Sequence, residues 1–224
     1  NIGPYKNMVE TYKICKGKYV AHLDGDDYWL DNKLSDQFNF MEKNTECVIS
    51  WTRSFVKKGD SIVSDSLSKK MLVSRFNQKD LAQLITIGFN SSKMFKNHLS
   101  YDVKVNFDIV DYYLNIEKLN FGYAAFIGDT YYTVYRAGIG IASNGIKTKI
   151  ILNQTWIYLL KKYPYLKASI SAAMLLNFFL AIKNRNIELI KSMVFIVMKN
   201  FSIRGAFLIF FNIKKILALK LPKI

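Results

Sequence analysis

Apolar positions along the chain change period several times, and each change predicts an element. The run Tyr19 to Leu23 reads as a buried strand that stops abruptly at polar residues. Leu30, Leu34, Phe38 and Met41 then recur at the spacing of one helix face, with Asp31 placed to cap it. Cys47 to Trp51 is a second short apolar run, whereas Lys57 to Lys70 is polar and Ser-rich and predicts a loop. Gln78 to Ile85 predicts a short helix. Ile109, Tyr112, Tyr113, Ile116 and Leu119 predict a longer one that Gly122 stops, and the β-prone run Tyr131 to Tyr135 follows. After Arg136 the Gly-rich stretch 137–141 predicts a mobile connection. From about Ile150 the spacing is helical, with apolar blocks at Ile170 to Ile182, Met193 to Met198 and Ala206 to Ile213 separated by Lys, Arg and Asn. None of these blocks reaches the roughly 18 to 20 uninterrupted apolar residues that span a bilayer, so packed or interfacial helices are expected.

Composition sharpens the division between front and tail. With 224 residues, 50% of them hydrophobic and 15% aromatic, the chain has ample material for a core, which excludes disorder throughout. Cys15 and Cys47 stand apart without a Cys-x-x-Cys pair or a Cys/His cluster, which excludes a disulfide framework and a structural zinc site and suits a reducing compartment. The net charge of +15 is unevenly placed: from Ile151 onward twelve Lys/Arg face the single acid Glu188, giving 12 − 1 = +11, and the preceding residues carry 15 − 11 = +4. A basic, apolar tail suits an anionic surface. The chain begins at Asn1 with no charged segment ahead of an apolar one, as expected of a portion of a longer product.

The strongest chemical signal is the acidic turn after the first strand, where Asp24, Asp26 and Asp27 crowd together. Carboxylates this close repel one another and stay ionised only with water, basic partners or a hard divalent cation. An acidic turn that caps the next helix is the alternative reading of such residues alone. An EF-hand fits poorly, because the further ligand positions and the terminal Glu are missing.

In order, Asn1, Gly3, Lys6-Asn7, Gly17-Lys18-Tyr19-Val20, Leu23-Asp24-Gly25-Asp26-Asp27, Trp29, Lys33-Leu34 and Gln37 resemble the middle of a family 2 glycosyltransferase. Asp111, an aromatic-rich helix, Gly122 and Tyr135-Arg136 resemble that family's later block, although Val110 stands where the family has Glu and Gly138 where it often has His. The resemblance implies an α/β fold: a partial GT-A (Rossmann-like) mixed sheet flanked by helices over residues 1–145, without the first nucleotide-binding strands, then a basic, apolar helical region over 146–224. It implies Mg²⁺ or Mn²⁺ held by Asp24 and Asp26, and nucleotide-sugar contacts from Asn1, Lys6, Asp24, Asp27 and Arg136. Asp111 is implied as the general base of an inverting, hexosyltransferase-type reaction, with Asp108 an alternative or a helix cap. Ser91 and Ser92 fall near the family's acceptor wall. Trp29 reads as core ahead of a sugar platform, and His22 and His98 as structural. The upstream strands absent here carry the family's base-contacting carboxylate, so the resemblance also implies that these residues alone make an incomplete enzyme.

The expected partners are a nucleotide-sugar donor, a glycan or polyprenyl-phosphate-linked acceptor of bacterial surface polysaccharide synthesis, and an anionic membrane surface. That puts the chain in the cytoplasm, peripheral at the inner face of the plasma membrane. Packing of the tail against the front domain explains the same composition. Nucleic acid is not expected, because the basic segment carries no reader motif. The alternative of another class is a noncatalytic membrane-surface or scaffold protein built on an incomplete GT-A core.

Overall fold

A computed structural model of the chain describes residues 2–98, 105–138 and 146–218, with side chains as far as residue 213. Asn1 and most of the Gly-rich connection lie outside the described residues. The first described helix, α1 (Pro4–Ile14), starts on a proline, whose missing N–H costs nothing at a helix N-terminus. β1 (Tyr19–Ala21) and β2 (Tyr28–Trp29) bracket the acidic turn, and α2 (Lys33–Lys43) follows. Asn32, in the left-handed region, precedes α2 where Asp31 was expected to cap it, and no side chain caps that end.

Strands β3 (Cys47–Lys58) and β4 (Ser61–Ser64) form a hairpin, so the segment expected to loop from Lys57 is partly paired. The short α3 (Lys69–Leu72) and β5 (Arg75–Phe76) lead to α4 (Gln78–Leu84), which Asn77 and Asp80 close with a reciprocal capping box. A single 3₁₀ turn, Asn90–Ser92, enters β6 (Lys93–Lys96). After α5 (Asp111–Lys118) comes β7 (Tyr123–Arg136), and the tail folds into α6 (Ile146–Lys162), α7 (Lys167–Lys183), α8 (Ile187–Lys199) and α9 (Ile203–Ala218).

The strands make one mixed sheet in the order β1-β6-β3-β7-β2, with β4 added on β3 and β5 on β7. Among the described residues only the β3–β7 pair is parallel. These two strands run well beyond the apolar stretches that announce them, because β3 is paired on both sides and covered on both faces, with Cys47, Val48, Ile49 and Trp51 buried. Gly122 lets their ends meet: a Cβ there would lie 2.1 Å from the Glu46 carbonyl oxygen, to which Tyr123 N–H donates at 3.1 Å.

One continuous core joins the sheet residues Trp51, Phe76 and Phe126 to Tyr112 on α5, Trp156 on α6 and Ile170 on α7. Helix α7 is apolar round most of its circumference because α4, α8 and α9 all pack on it. Gly205 seats α9 close to it, since a Cβ there would stand 2.8 Å from Ala168 O and 2.9 Å from Ser171 Cβ. With its preceding turn α7 forms a 20-residue stretch, Pro164–Lys183, that is long and apolar enough to cross a membrane, and half of it is buried within the protein. Length and composition alone therefore go further than the uninterrupted apolar blocks suggested, and the packing accounts for the apolarity.

Candidate active site

β1 and β2 stand at opposite ends of the strand order, so residues 22–27 must run across the rim of the strands between them. A flat sheet would hold β1 and β2 about 19 Å apart, at about 4.8 Å per strand interval. The linking loop spends part of its length on a turn in which Asp27 N–H donates to Asp24 O at 3.1 Å, so the curl of the sheet closes the gap. The carboxylates are thus placed on the rim by topology.

The 3₁₀ turn before β6 fixes the loop from below. Ser91 Oγ donates to Asp24 Oδ2 at 3.2 Å and accepts from Asp24 N–H at 3.0 Å, while Trp29 Nε1 donates to Ser91 O at 2.7 Å. His22 Nε2 lies 2.9 Å from Asp24 Oδ1 and 2.8 Å from Asn90 Nδ2, and its Nδ1 is 2.7 Å from the Tyr12 hydroxyl. Behind Trp29, the buried Lys33 ammonium sits 4.2 Å from the indole centroid and donates to Gln37 Oε1 at 2.6 Å. Gln37 Nε2 donates in turn to Ser50 O, Ser50 Oγ and Ser92 O. The Lys-Leu-x-x-Gln spacing thereby acquires a physical meaning: one turn of α2 braces the turn that holds Asp24.

From the other side β7 brings Arg136, whose N–H donates to Asp27 Oδ1 at 2.8 Å and whose Nε donates to Asp26 O. Tyr135, stacked on Phe89 with centroids 4.6 Å apart, lies in the field of all three carboxylates. Burial first, and then Asp27, Asp26 and Asp24, raise its phenol above the usual value. Burial also raises Asp27, and the charges of Asp24 and Asp26 add to it against the pull of Ser91 and the Arg136 backbone. At Asp24 burial acts upward too, but the hydrogen bond and charge of His22, with Ser91 and Lys93, outweigh it and hold the carboxyl below its ordinary range.

Asp111 is the first residue of α5, after Val110 as N-cap, and is half-buried there. Its link to the acidic loop is Lys93, a wholly buried ammonium 2.7 Å from Asn90 Oδ1 and 3.3 Å from Asn115 Oδ1. Burial depresses Lys93, while the charges of Asp111 and Asp24 both act to restore it. Two carboxylates separated by most of the front half of the chain therefore act on one ammonium.

Among the remaining expectations, Lys6 is exposed on α1, away from the bonds described for the loop, and Asn1 lies outside the described residues. Asp108 does not cap α5; it is exposed and lines a cavity of about 690 Å³ with Phe107, Lys147, Gln154 and Glu188. Ser91 faces Asp24, and Ser92 Oγ donates to Phe89 O, which ties up both hydroxyls. Trp29 is half-buried and spends its N–H and one ring face on bracing, in line with packing. His98 meets only the Phe121 ring among the aromatic contacts described, as a structural residue would. Sequence reasoning missed Asn90 and Lys93 altogether. The available signal was a lysine immediately before the apolar pair Met94-Phe95, where a charge must find partners.

Whether the loop suits a cation can be asked of its own atoms. Asp27 Oδ2 is buried and has no hydrogen-bond partner, beside two further carboxylates that raise its pKa. The donor set is oxygen only, which suits a hard divalent ion. Among the described residues no three acidic, His or Cys side chains form a ready metal cage. Mg²⁺-type sites of one or two carboxylates completed by substrate phosphates require none.

The site is thus an acidic loop on the rim of a curled mixed sheet, with a further carboxylate, Asp111, at the start of α5. Comparison with known proteins bears on its class. The model for glycosyl transferase family 2 matches residues 1–102, somewhat under half of the chain. The Escherichia coli protein WfaP, a UDP-Glc:alpha-D-GlcNAc-diphosphoundecaprenol beta-1,3-glucosyltransferase, is 49% identical over 47 residues, covering 20% of this chain and 18% of that protein. An uncharacterized glycosyltransferase of Methanocaldococcus jannaschii is 28% identical over 110 residues, 47% of this chain and 37% of its own. A crystal structure of S. aureus TarS, residues 1–349, superposes with a TM-score of 0.50 at 12% identity over 75% of this chain and 49% of that one, which bears on the fold alone. The fold is of the GT-A type. The chain spans between 18% and 39% of the length of the curated relatives it matches.

Proposed function

We propose that this chain carries the reacting carboxylates of an inverting glycosyltransferase that moves a sugar from a nucleotide donor to a glycan or lipid-linked acceptor. The observation that carries the reading is the geometry of the rim loop: Asp24 is held by Ser91 and His22, and beside it Asp27 Oδ2 is buried without a hydrogen-bond partner. In this reaction the acceptor hydroxyl oxygen attacks the anomeric carbon, the bond from that carbon to the diphosphate breaks, and one displacement inverts the centre. Asp111 takes the hydroxyl proton as the new bond forms, which a carboxylate of ordinary basicity does because the hydroxyl acidifies in the transition state.

Asp24 and Asp26 would hold Mg²⁺ or Mn²⁺, with the orphaned Asp27 Oδ2 beside them. When bound, the ion supplies charge neutralisation to the departing diphosphate. Arg136 braces the loop through Asp26 and Asp27 and lies where a diphosphate contact is reasonable, and Lys6 and Asn1 remain donor-side candidates by resemblance. The basic tail supports an acceptor held at an anionic membrane, and with it a peripheral place at the cytoplasmic face in surface polysaccharide assembly.

The test, run on the full gene product, is transfer and hydrolysis of UDP-, GDP- and dTDP-sugars with Mn²⁺, comparing wild type with Asp24→Asn and Asp111→Asn. Asp111→Asn is expected to lower turnover by roughly 10²-fold or more while donor binding falls far less. Asp24→Asn is expected to lose Mn²⁺-dependent donor binding. Wild-type turnover in both variants overturns the mechanism, and a wild type that binds no donor points to the noncatalytic scaffold instead.

A further inference from the structure

Helices α8 and α9 carry apolar surface that none of the described residues covers. On α8, Leu189, Met193 and Val197 face inward and are buried, so Phe195 at 72% and Met198 at 73% exposure belong to a second apolar face. On α9, Gly205 is buried against α7, while Phe207, Phe210 and Phe211 are 61%, 84% and 82% exposed. An amphipathic helix of a soluble core has one apolar side; these two have an inward side that is used and an outward side that is not. The exposed polar residues among them are mostly cationic, namely Lys191, Lys199 and Arg204, and Glu188 is the sole acid from Ile151 to the last residue.

We infer that the outward faces of α8 and α9 form a docking surface for an anionic lipid bilayer, with the phenylalanines entering the headgroup and acyl boundary. Charge complementarity selects this occupant, since bulky aromatics interleaved with Lys and Arg, almost free of acids, match a negatively charged apolar interface. The two helices meet at a 117° bend, so they do not form one straight span, and the inward faces already bind α7. Through α7, which also packs on α4, the surface is fixed to the body that holds the acidic loop. This deepens the proposed function by naming the surface that brings the protein to a lipid-linked acceptor, and it rests on that reading only for its purpose.

Binding is read separately from turnover. The full chain is mixed with vesicles of phosphatidylcholine alone or containing phosphatidylglycerol and sedimented at low and high salt. Wild type is expected to co-sediment with the phosphatidylglycerol vesicles, and less so at high salt. Combined Phe207→Ser, Phe210→Ser and Phe211→Ser changes are expected to weaken partition by roughly tenfold or more. Lys191→Gln, Lys199→Gln and Arg204→Gln together are expected to remove the preference for phosphatidylglycerol. All six positions are exposed, and a far-UV spectrum and melting profile like those of wild type confirm that the variants fold. Wild type left in the supernatant overturns the inference, as do variants that bind like wild type. So does a vesicle-free dimer that the Phe changes dissolve without any vesicle binding, which would make the face a self-interface. Turnover on a water-soluble acceptor reports on the catalytic reading alone, so either proposal can fail while the other stands.

Discussion

Lys33 offers a measurement of how α2 supports the acidic loop. The side chain is only 1% exposed, and burial pushes its pKa from 10.5 down to about 7. Between those values the unfolded chain holds a proton that the folded chain does not, so this lysine makes stability rise with pH from about 7 towards 10.5, and its full cost is present below about 7. Lys33→Met removes that titration. At about 1.4 kcal/mol per pH unit, the wild type should gain on the variant by roughly 2–3 kcal/mol between about pH 6 and pH 9. A pH-independent offset accompanies the change, because Gln37 Oε1 loses its 2.6 Å donor inside the protein, at about 1–3 kcal/mol. Urea unfolding followed by tryptophan fluorescence across that pH range gives the difference directly, with Trp29 a close reporter. Other titrations cancel in the comparison. Parallel pH profiles for the two proteins would refute the reasoning, since they would mean that Lys33 stays charged and hydrated in the folded state.

Ser91→Ala removes both bonds between the 3₁₀ turn and Asp24; donor affinity, measured by isothermal titration with Mn²⁺, is expected to fall about tenfold or more, in keeping with about 1.5–3 kcal/mol for a hydrogen bond to a charged group. Gly122→Ala drives a Cβ to 2.1 Å from the Glu46 carbonyl oxygen, where ordinary contact begins near 3.4 Å. The parallel β3–β7 pair must part at its start, at a cost of roughly 2–4 kcal/mol. A calorimetric Tm about 5–15 °C lower is expected, and an unchanged Tm would show that the strands have room to spare.

Residues with both a family spacing and a local physical signature were legible in the sequence. The acidic turn after a buried strand, the α5 periodicity and the stop at Gly122 all fell where the structure has them. Strand ends were not legible, because pairing on both sides, as in β3, sustains a strand through polar residues such as Thr52, Arg53 and Ser54 that no periodicity selects. The β3–β4 hairpin hid in a Ser-rich segment for the same reason. At the site, the carboxylates could be read from identity and spacing, but their supports could not. Ser91 meets Asp24, and Asn90 and Lys93 meet His22, across long stretches of sequence and only because β6 lies beside β1. His22 looked like a strand residue, and it became a partner of Asp24 because the strand ends one residue earlier, at Ala21.

The buried ammonium behind the loop makes the two carboxylates energetically dependent on each other. Lys93 lowers the Asp24 pKa, while Asp24 and Asp111 both raise that of Lys93 against its burial. Coupling between sites is reciprocal, so taking the charge from Asp111 removes one of the two negative charges that act on Lys93 and alters what Lys93 does at Asp24. Asp111→Asn should therefore weaken Mn²⁺-dependent donor binding somewhat, and Asp24→Asn with Asp111→Asn should cost less binding than the sum of the single changes. Groups joined through a shared charge typically couple by about 0.5–3 kcal/mol. A double-mutant cycle on donor affinity reads this term directly. Strict additivity would mean that Lys93 does not transmit charge between the rim loop and α5, and the donor and acceptor sides would then be independent.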